Sequence, residues 1–158
     1  MNLLYHLIKW LSGKHFVSRL LATTLHHLDS LPLKLTRNQH SFTSLLTGLP
    51  VVVLATTGSK SGRLRTTPLV ALLEDDKVIL IASSFGNTKN PGWYHNLKAS
   101  PQVKILWNSG SGTYLAREVD GDERENYWQK AVRQYSGYAE YQVRAGSRRI
   151  PVISLEPV

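Results

Sequence analysis

Apolar residues recur at helical spacing over the first part of the chain, and past residue 49 the recurrence shortens to that of strands. Leu3, Leu4, Leu7, Ile8 and Leu11, then Phe16, Val17, Leu20, Leu21, Leu25 and Leu28, form two stripes broken near Gly13, which predicts two amphipathic helices. Pro32 and Gly48 bracket a linker with a short helix. Val51 to Thr56, Arg65 to Leu73 and Val78 to Ala82 then read as a three-stranded meander, its turns marked by a basic loop and by Glu74-Asp75-Asp76. Asn90 to Ala99 predicts a helix with Asn90 as N-cap and Pro91 at its first position. Val103 to Trp107 and Thr113 to Val119 form a hairpin around Asn108-Ser109-Gly110. An acidic first turn opens a helix from Asp120 to Tyr135, in which Tyr127, Trp128, Ala131, Val132 and Tyr135 have the spacing of a buried face. A short helix, Gly137 to Arg144, and a strand, Ile150 to Leu155, follow. Six strands with helices inserted late predict an α+β fold on a small barrel, because closure removes sheet edges. Residues 1–48 are then a helical extension and residues 49–158 a single barrel domain.

Composition narrows the chemistry. A chain of 158 residues that is 42% hydrophobic closes one ordinary core. Its net charge of +8 favours anionic partners. The absence of cysteine excludes disulfides, thiolate nucleophiles and cysteine zinc sites, so redox chemistry requires a bound cofactor. The longest apolar runs fall short of the roughly 18 residues of a spanning helix, and no signal-peptide pattern is present, which predicts a cytoplasmic protein. Lys9, Lys14, Arg19, Lys34 and Arg37 punctuate the N-terminal stripes. Two readings stay open there: a cover over a hydrophobic sheet face, or a helix pair lying on an anionic membrane surface.

Familiar active sites are excluded one by one. Gly58-Ser59-Lys60-Ser61-Gly62 places lysine where a nucleophile elbow needs serine, and it lacks the Gly-Lys-Ser/Thr ending of a P-loop. The six histidines form no metal-binding pair, and the aromatic residues do not fit an RNA-recognition pattern, so neither a metal nor a nucleic acid is expected. What remains is a cationic, glycine-bounded loop. Gly58 and Gly62 let main-chain N–H groups converge, Lys60, Arg63 and Arg65 supply charge, and Thr66-Thr67-Pro68 follow with small hydroxyls. A solvated hairpin turn is the competing reading. A second polar turn, Ser83-Ser84-Phe85-Gly86-Asn87, ends the third strand, and Lys89 to Leu97 brings a cation beside Trp93, Tyr94 and Asn96. Trp93 and Tyr94 suit core packing as well as a ligand; Asn96 is harder to bury without a partner. The two clusters together suggest a ligand with an anionic tail and a flat aromatic head.

These segments, Leu54 to Leu69, Ala82-Ser83, Lys89 to Leu97 and Ile150-Pro151-Val152, resemble the deazaflavin-dependent nitroreductase family of actinobacteria. The resemblance runs from about Leu49 onward and implies a split β-barrel related to the flavin-binding pyridoxamine-phosphate oxidase barrels. It also implies coenzyme F420, an 8-hydroxy-5-deazaflavin with a polyanionic phospholactyl oligoglutamate tail, as the cofactor. On it, Lys60, Ser61, Gly62, Arg63 and Arg65 hold the tail, Thr66, Thr67 and Pro68 line the groove, and Ala82, Ser83 and Ser84 border the ring. Lys89 belongs to the same set, and Trp93, Tyr94 and Asn96 position the ring. Tyr135, Tyr138 and Tyr141 surround the acceptor, with Tyr138 as proton donor or acceptor anchor. Ser59 stands where the family has arginine, which removes one tail contact, and Ser84 stands where its nitroreductase has lysine. The implied reaction is hydride transfer to a quinone, nitroaromatic or activated alkene. The other readings are a non-catalytic F420 carrier and an FMN-binding barrel, and a homodimer fits each.

Overall fold

The computed structural model describes residues 49–107 and 110–158. The predicted N-terminal helices and the hairpin turn at Asn108-Ser109 lie outside the described residues. Six strands, β1 (Val51–Thr57), β2 (Leu64–Glu74), β3 (Lys77–Ile81), β4 (Gln102–Trp107), β5 (Gly110–Glu118) and β6 (Val152–Pro157), close into a barrel in the order β1-β2-β3-β6-β5-β4. Every neighbouring pair is antiparallel. Three helices complete the domain: α1 (Gly92–Ala99), α2 (Gly121–Gln134) and α3 (Gly137–Ala145).

Alternation along the strands divides the core in two. Val52, Leu54, Val78, Leu80, Ile105, Ile153 and Leu155 face the barrel interior, where Trp93 and Leu97 of α1 join them. Ile79, Ile81 and Val152 face outward and meet Tyr127, Trp128 and Ala131 of α2 and Tyr138 and Tyr141 of α3. The helices therefore stand on the β3–β6 wall. Arg124 is buried on the inner side of α2, where it donates to the Ile150 carbonyl at 3.1 Å and stacks over Trp128. Val132 and Tyr135, expected inside, are half-buried.

Boundaries differ from expectation where a main-chain group finds another partner. Asn90 does not cap α1, because its amide oxygen accepts from Arg148 at 2.7 Å; Pro91 precedes the helix instead. β5 starts at Gly110, its small Ser-Gly positions pairing with Leu106 and Ile105 rather than turning. β6 starts at Val152, since the Ile150 N–H is taken by the Gln142 side chain at 2.9 Å and Pro151 has none to give.

Although the strand order closes, one seam along β2 is unpaired among the described residues. β1 pairs with β2 from Leu64 to Val70, whereas β3 pairs with β2 only from Ala71 to Glu74. Among the described residues, nothing pairs with the other edge of β2 between Leu64 and Leu69. The Ala71 N–H bonds the Pro50 carbonyl at 2.9 Å, so two-residue alternation turns the main-chain groups of Leu69, Thr67 and Arg65 toward β1 as well. Those of Pro68, Thr66 and Leu64 then face the seam. Pro68 fits this position because it has no N–H to leave unpaired. Pro50 cannot return a bond to the Ala71 carbonyl, which accepts from Gln134 at the end of α2 at 3.0 Å.

Candidate functional site

The loop between β1 and β2 is closed by its own main chain. The Gly58 N–H donates to the Arg63 carbonyl at 2.8 Å, and Gly62 and Ser61 donate back to the Gly58 carbonyl at 2.8 and 3.2 Å. Glycine suits position 58, where a Cβ would lie 3.2 Å from the Arg63 carbonyl oxygen and would turn Ser61 Oγ, 2.7 Å away, aside. Asn96 fastens the loop from α1: its Oδ1 accepts from the Ser59 N–H and its Nδ2 donates to Thr56 Oγ1, both at 3.0 Å. Lys60, Ser61, Gly62, Arg63 and Arg65 are all exposed. The side chains of Lys60, Arg63 and Arg65 form no ion pair or hydrogen bond with another described residue. Sequence explains this, since no acidic residue occurs between Leu49 and Leu73. Lys104 on β4, in register with Ala55 and through it with Thr66, adds a cation that sequence reading missed.

The far side of the seam is the turn from Ala82 to Asn90. Ser84, Phe85 and Gly86 have φ of 51°, 55° and 79°. Gly86 lies flat against α3, where a Cβ would stand 2.8 Å from both the Tyr141 carbonyl oxygen and Arg144 Cβ. The guanidinium of Arg148 fills the inside of the turn and donates to four acceptors: the carbonyls of Asn87 (2.8 Å), Ala82 (3.1 Å) and Ser83 (2.7 Å), and Asn90 Oδ1 (2.7 Å). Burial among neutral acceptors lowers its pKa from the ordinary arginine value.

Tyr135, Tyr138 and Tyr141 meet as expected, at the end of the seam. Ring centroids are 5.3 to 6.2 Å apart, the Tyr135 and Tyr141 hydroxyls are 3.1 Å apart, and Phe85 packs edge-on against Tyr141 at 5.9 Å. Tyr135 immediately follows Gln134, which bonds Ala71 where β3 leaves β2. Tyr138 is buried, and its hydroxyl makes no hydrogen bond to another described residue. Burial raises the pKa of Tyr138 and Tyr141 well above the ordinary phenol value. A phenol raised in this way stays protonated at neutral pH and can donate a hydrogen bond.

The remaining expected residues divide. Thr66 and Pro68 project on one face of β2, and Thr67, in register with the interior Leu54, on the other. Ala82 is fully buried and offers main chain; Ser83 and Ser84 are half-exposed. Lys89 is exposed and unpaired among the described residues. Trp93 belongs to the barrel core. The Tyr94 hydroxyl donates to Glu118 Oε2 at 2.9 Å and is pushed up to about 12 by burial and that bond. Asn96, expected to read a ring, has both ends of its amide engaged by Ser59 and Thr56, so it shapes the loop. Arg148 and Gln142 were not singled out in the sequence, and Gly86 was named only as part of a polar turn. The legible trace of Arg148 was a cation just before a segment, Ile150 to Leu155, that is apolar except at Ser154.

Residues 33–157 match the family model of the F420H2-dependent quinone reductases. An F420H2-dependent quinone reductase of Mycobacterium tuberculosis is 37% identical over 109 residues, which are 67% of this chain and 72% of the relative. Among solved structures, an F420-H2 dependent reductase is 42% identical with a TM-score of 0.62, over 68% of this chain and 94% of that one. A structure described as a domain-swapped dimer is 35% identical with a TM-score of 0.65, over 89% of this chain and 97% of that one. No described helix is long and apolar enough to cross a membrane.

Proposed function

Because this chain belongs to the F420H2-dependent quinone reductase family, we propose that it reduces a quinone with reduced F420 in the groove along the open edge of β2. The carrying observation is that Lys60, Arg63 and Arg65 have no counter-ion among the described residues and stand at one end of a strand edge that no described residue pairs, whose other end meets three tyrosines.

Reduced F420 supplies the hydride, and a quinone that takes up this hydride and one proton leaves as the hydroquinone. Lys60, Arg63, Arg65 and Lys104 hold the polyanionic tail, helped by the hydroxyl of Ser61 and the close approach allowed at Gly62. The Thr66 N–H and the Thr66 and Pro68 carbonyls offer a donor and acceptors in one line, the pattern that a flat heterocycle presents at its edge. Ala82, Ser83 and Ser84 form the facing wall, with Lys89 at its rim, while Trp93, Tyr94 and Asn96 support the groove from behind. Tyr138 donates a hydrogen bond to the acceptor oxygen as negative charge builds there. Solvent provides the proton, because the buried phenols ionise reluctantly.

Equilibrium titration with F420 and with FMN, followed by turnover of reduced F420 with menadione, tests this. Tight F420 binding with menadione reduction is expected. Binding without turnover of menadione or a nitroaromatic makes the protein a carrier, and preference for FMN removes the deazaflavin reading. The cytoplasmic, peripheral-membrane part of the proposal rests on the stripes and lysines of residues 2–30. Removing them then lowers sedimentation with anionic vesicles while F420 affinity holds. A homodimer is supported by the domain-swapped relative and is tested by the mass in solution.

A further inference from the structure

Two successive non-glycine residues in the left-handed region, Ser84 and Phe85, form an arrangement that L-residues adopt only when held. Inside the turn the Gly86 and Asn87 N–H groups donate to the Ser83 and Ser84 carbonyls, both at 3.0 Å, and one side chain braces it from end to end. Arg148 spans Ala82 before the strained residues and Asn87 and Asn90 after them, and uses Nε, Nη1 and Nη2 to do it. A planar fork that meets four acceptors fixes distances and angles together, which an ammonium on a flexible stem does not. Arg148 is itself held. Gln142, next to Tyr141 on α3, donates to the Arg148 carbonyl at 2.8 Å and accepts from the Ile150 N–H at 2.9 Å. Gly86 closes the circuit by seating the turn on Tyr141.

We propose that Arg148 is a positioning residue: it holds the turn Ala82–Asn90 as the wall of the groove opposite β2, and ties that wall to the helix that carries Tyr138 and Tyr141. The proposal rests on the reading of the groove given above. Arg148 touches neither reactant and acts through the main chain of Ala82, Ser83 and Asn87.

The test uses the full chain with Arg148→Ala, Arg148→Lys and Asn90→Ala, each measured for amide hydrogen exchange without ligand, F420 affinity, and kcat/KM with menadione. In Arg148→Ala, exchange rises across residues 83–90 while the barrel strands keep their protection. F420 affinity falls roughly tenfold and kcat/KM up to about a hundredfold, as expected when a binding wall shifts by about an ångström. Millimolar guanidinium restores both in Arg148→Ala but not in Arg148→Lys, a rescue that a loss of general stability would not show. Asn90→Ala removes one acceptor and gives a smaller loss; it and Arg148→Lys carry the measurement if Arg148→Ala does not fold. An unchanged turn in Arg148→Ala overturns the proposal, as does an opened turn with affinity and turnover intact. Wild-type protein that binds no F420 overturns the groove reading and the claim on activity with it, while exchange in the turn still decides whether Arg148 holds it.

Discussion

The loop after β1 and the flank where β5 and β6 meet α2 contain the same kinds of charged side chain in opposite states. On the flank, Arg117 forks to Glu123 at 2.9 Å and reaches Glu156 at 3.0 Å, Lys77 pairs with Glu156 at 3.3 Å, and Arg149 pairs with Asp120 at 2.8 Å. Nearby, Lys98 pairs with Glu118 across a cleft of about 380 Å³ whose other charges are Asp120, Arg124 and Arg149. In the loop, Lys60, Arg63 and Arg65 pair with no acid among the described residues. Paired surface charges contribute up to about 1 kcal/mol and project little field. Unpaired like charges repel, and their field remains for a ligand to cancel. Counting cations would rank the two regions alike; asking which cations are already satisfied separates them.

Substitution sharpens the contrast most. Lys60→Ala and Arg65→Ala should each weaken F420 by about 1 to 3 kcal/mol, with reduced salt dependence in the double variant, whereas Arg117→Ala leaves F420 affinity unchanged. Equal losses in both regions, measured by titration at two ionic strengths, would break the comparison. Next comes Gly86→Ala, which forces a Cβ into α3 at a positive φ and should cost about 2 kcal/mol of stability in denaturant unfolding. Tyr138→Phe keeps the ring and removes the hydroxyl; kcat/KM with menadione should fall about tenfold, close to 1.4 kcal/mol, with F420 affinity unchanged. Full activity would reduce Tyr138 to packing. The smallest effect belongs to the flank. The Arg117 guanidinium holds Glu123 and Glu156 below their ordinary carboxyl value of 4.5, and Lys77 adds to this at Glu156. Because the folded values are depressed, the stabilisation is present above pH 4.5 and is lost as pH falls below it. Exposure keeps it small. Stability of Glu156→Gln against pH should show a shallower acid decline than wild type.

The barrel was legible because apolar runs too short for helices, Val51 to Ala55, Val78 to Ala82 and Val152 to Leu155, are separated cleanly by turn residues, although β1, β3 and β6 are buried almost throughout and do not alternate between buried and exposed. The basic loop was legible because its charge and glycines are contiguous. Arg148 was not, since its four acceptors come from a segment about sixty residues earlier, three of them main-chain carbonyls that leave no mark in sequence. Asn96 was read with the right suspicion and the wrong partner: a buried amide did need bonds, and Thr56 and Ser59, some forty residues earlier, supplied them. The seam in β2 was hidden for a related reason. Its opening depends on β3 being shorter than β2, a mismatch in length between strands that each looked ordinary.

That seam has a bearing on self-association. An unpaired strand edge is a template on which another chain can add a strand, the route to edge-to-edge assembly. Pro68 removes one donor from the middle of the exposed edge, so an incoming strand could not complete its ladder there. Arg63 and Arg65 flank its start, and a second copy approaching edge to edge would bring the same two charges against them. Replacing Pro68 with valine and both arginines with threonine would restore a continuous, uncharged edge, and the variant should form concentration-dependent aggregates where the native chain stays dispersed. On the proposed reading, the features that would leave this edge to an anionic small molecule also discourage a second copy from adding a strand there.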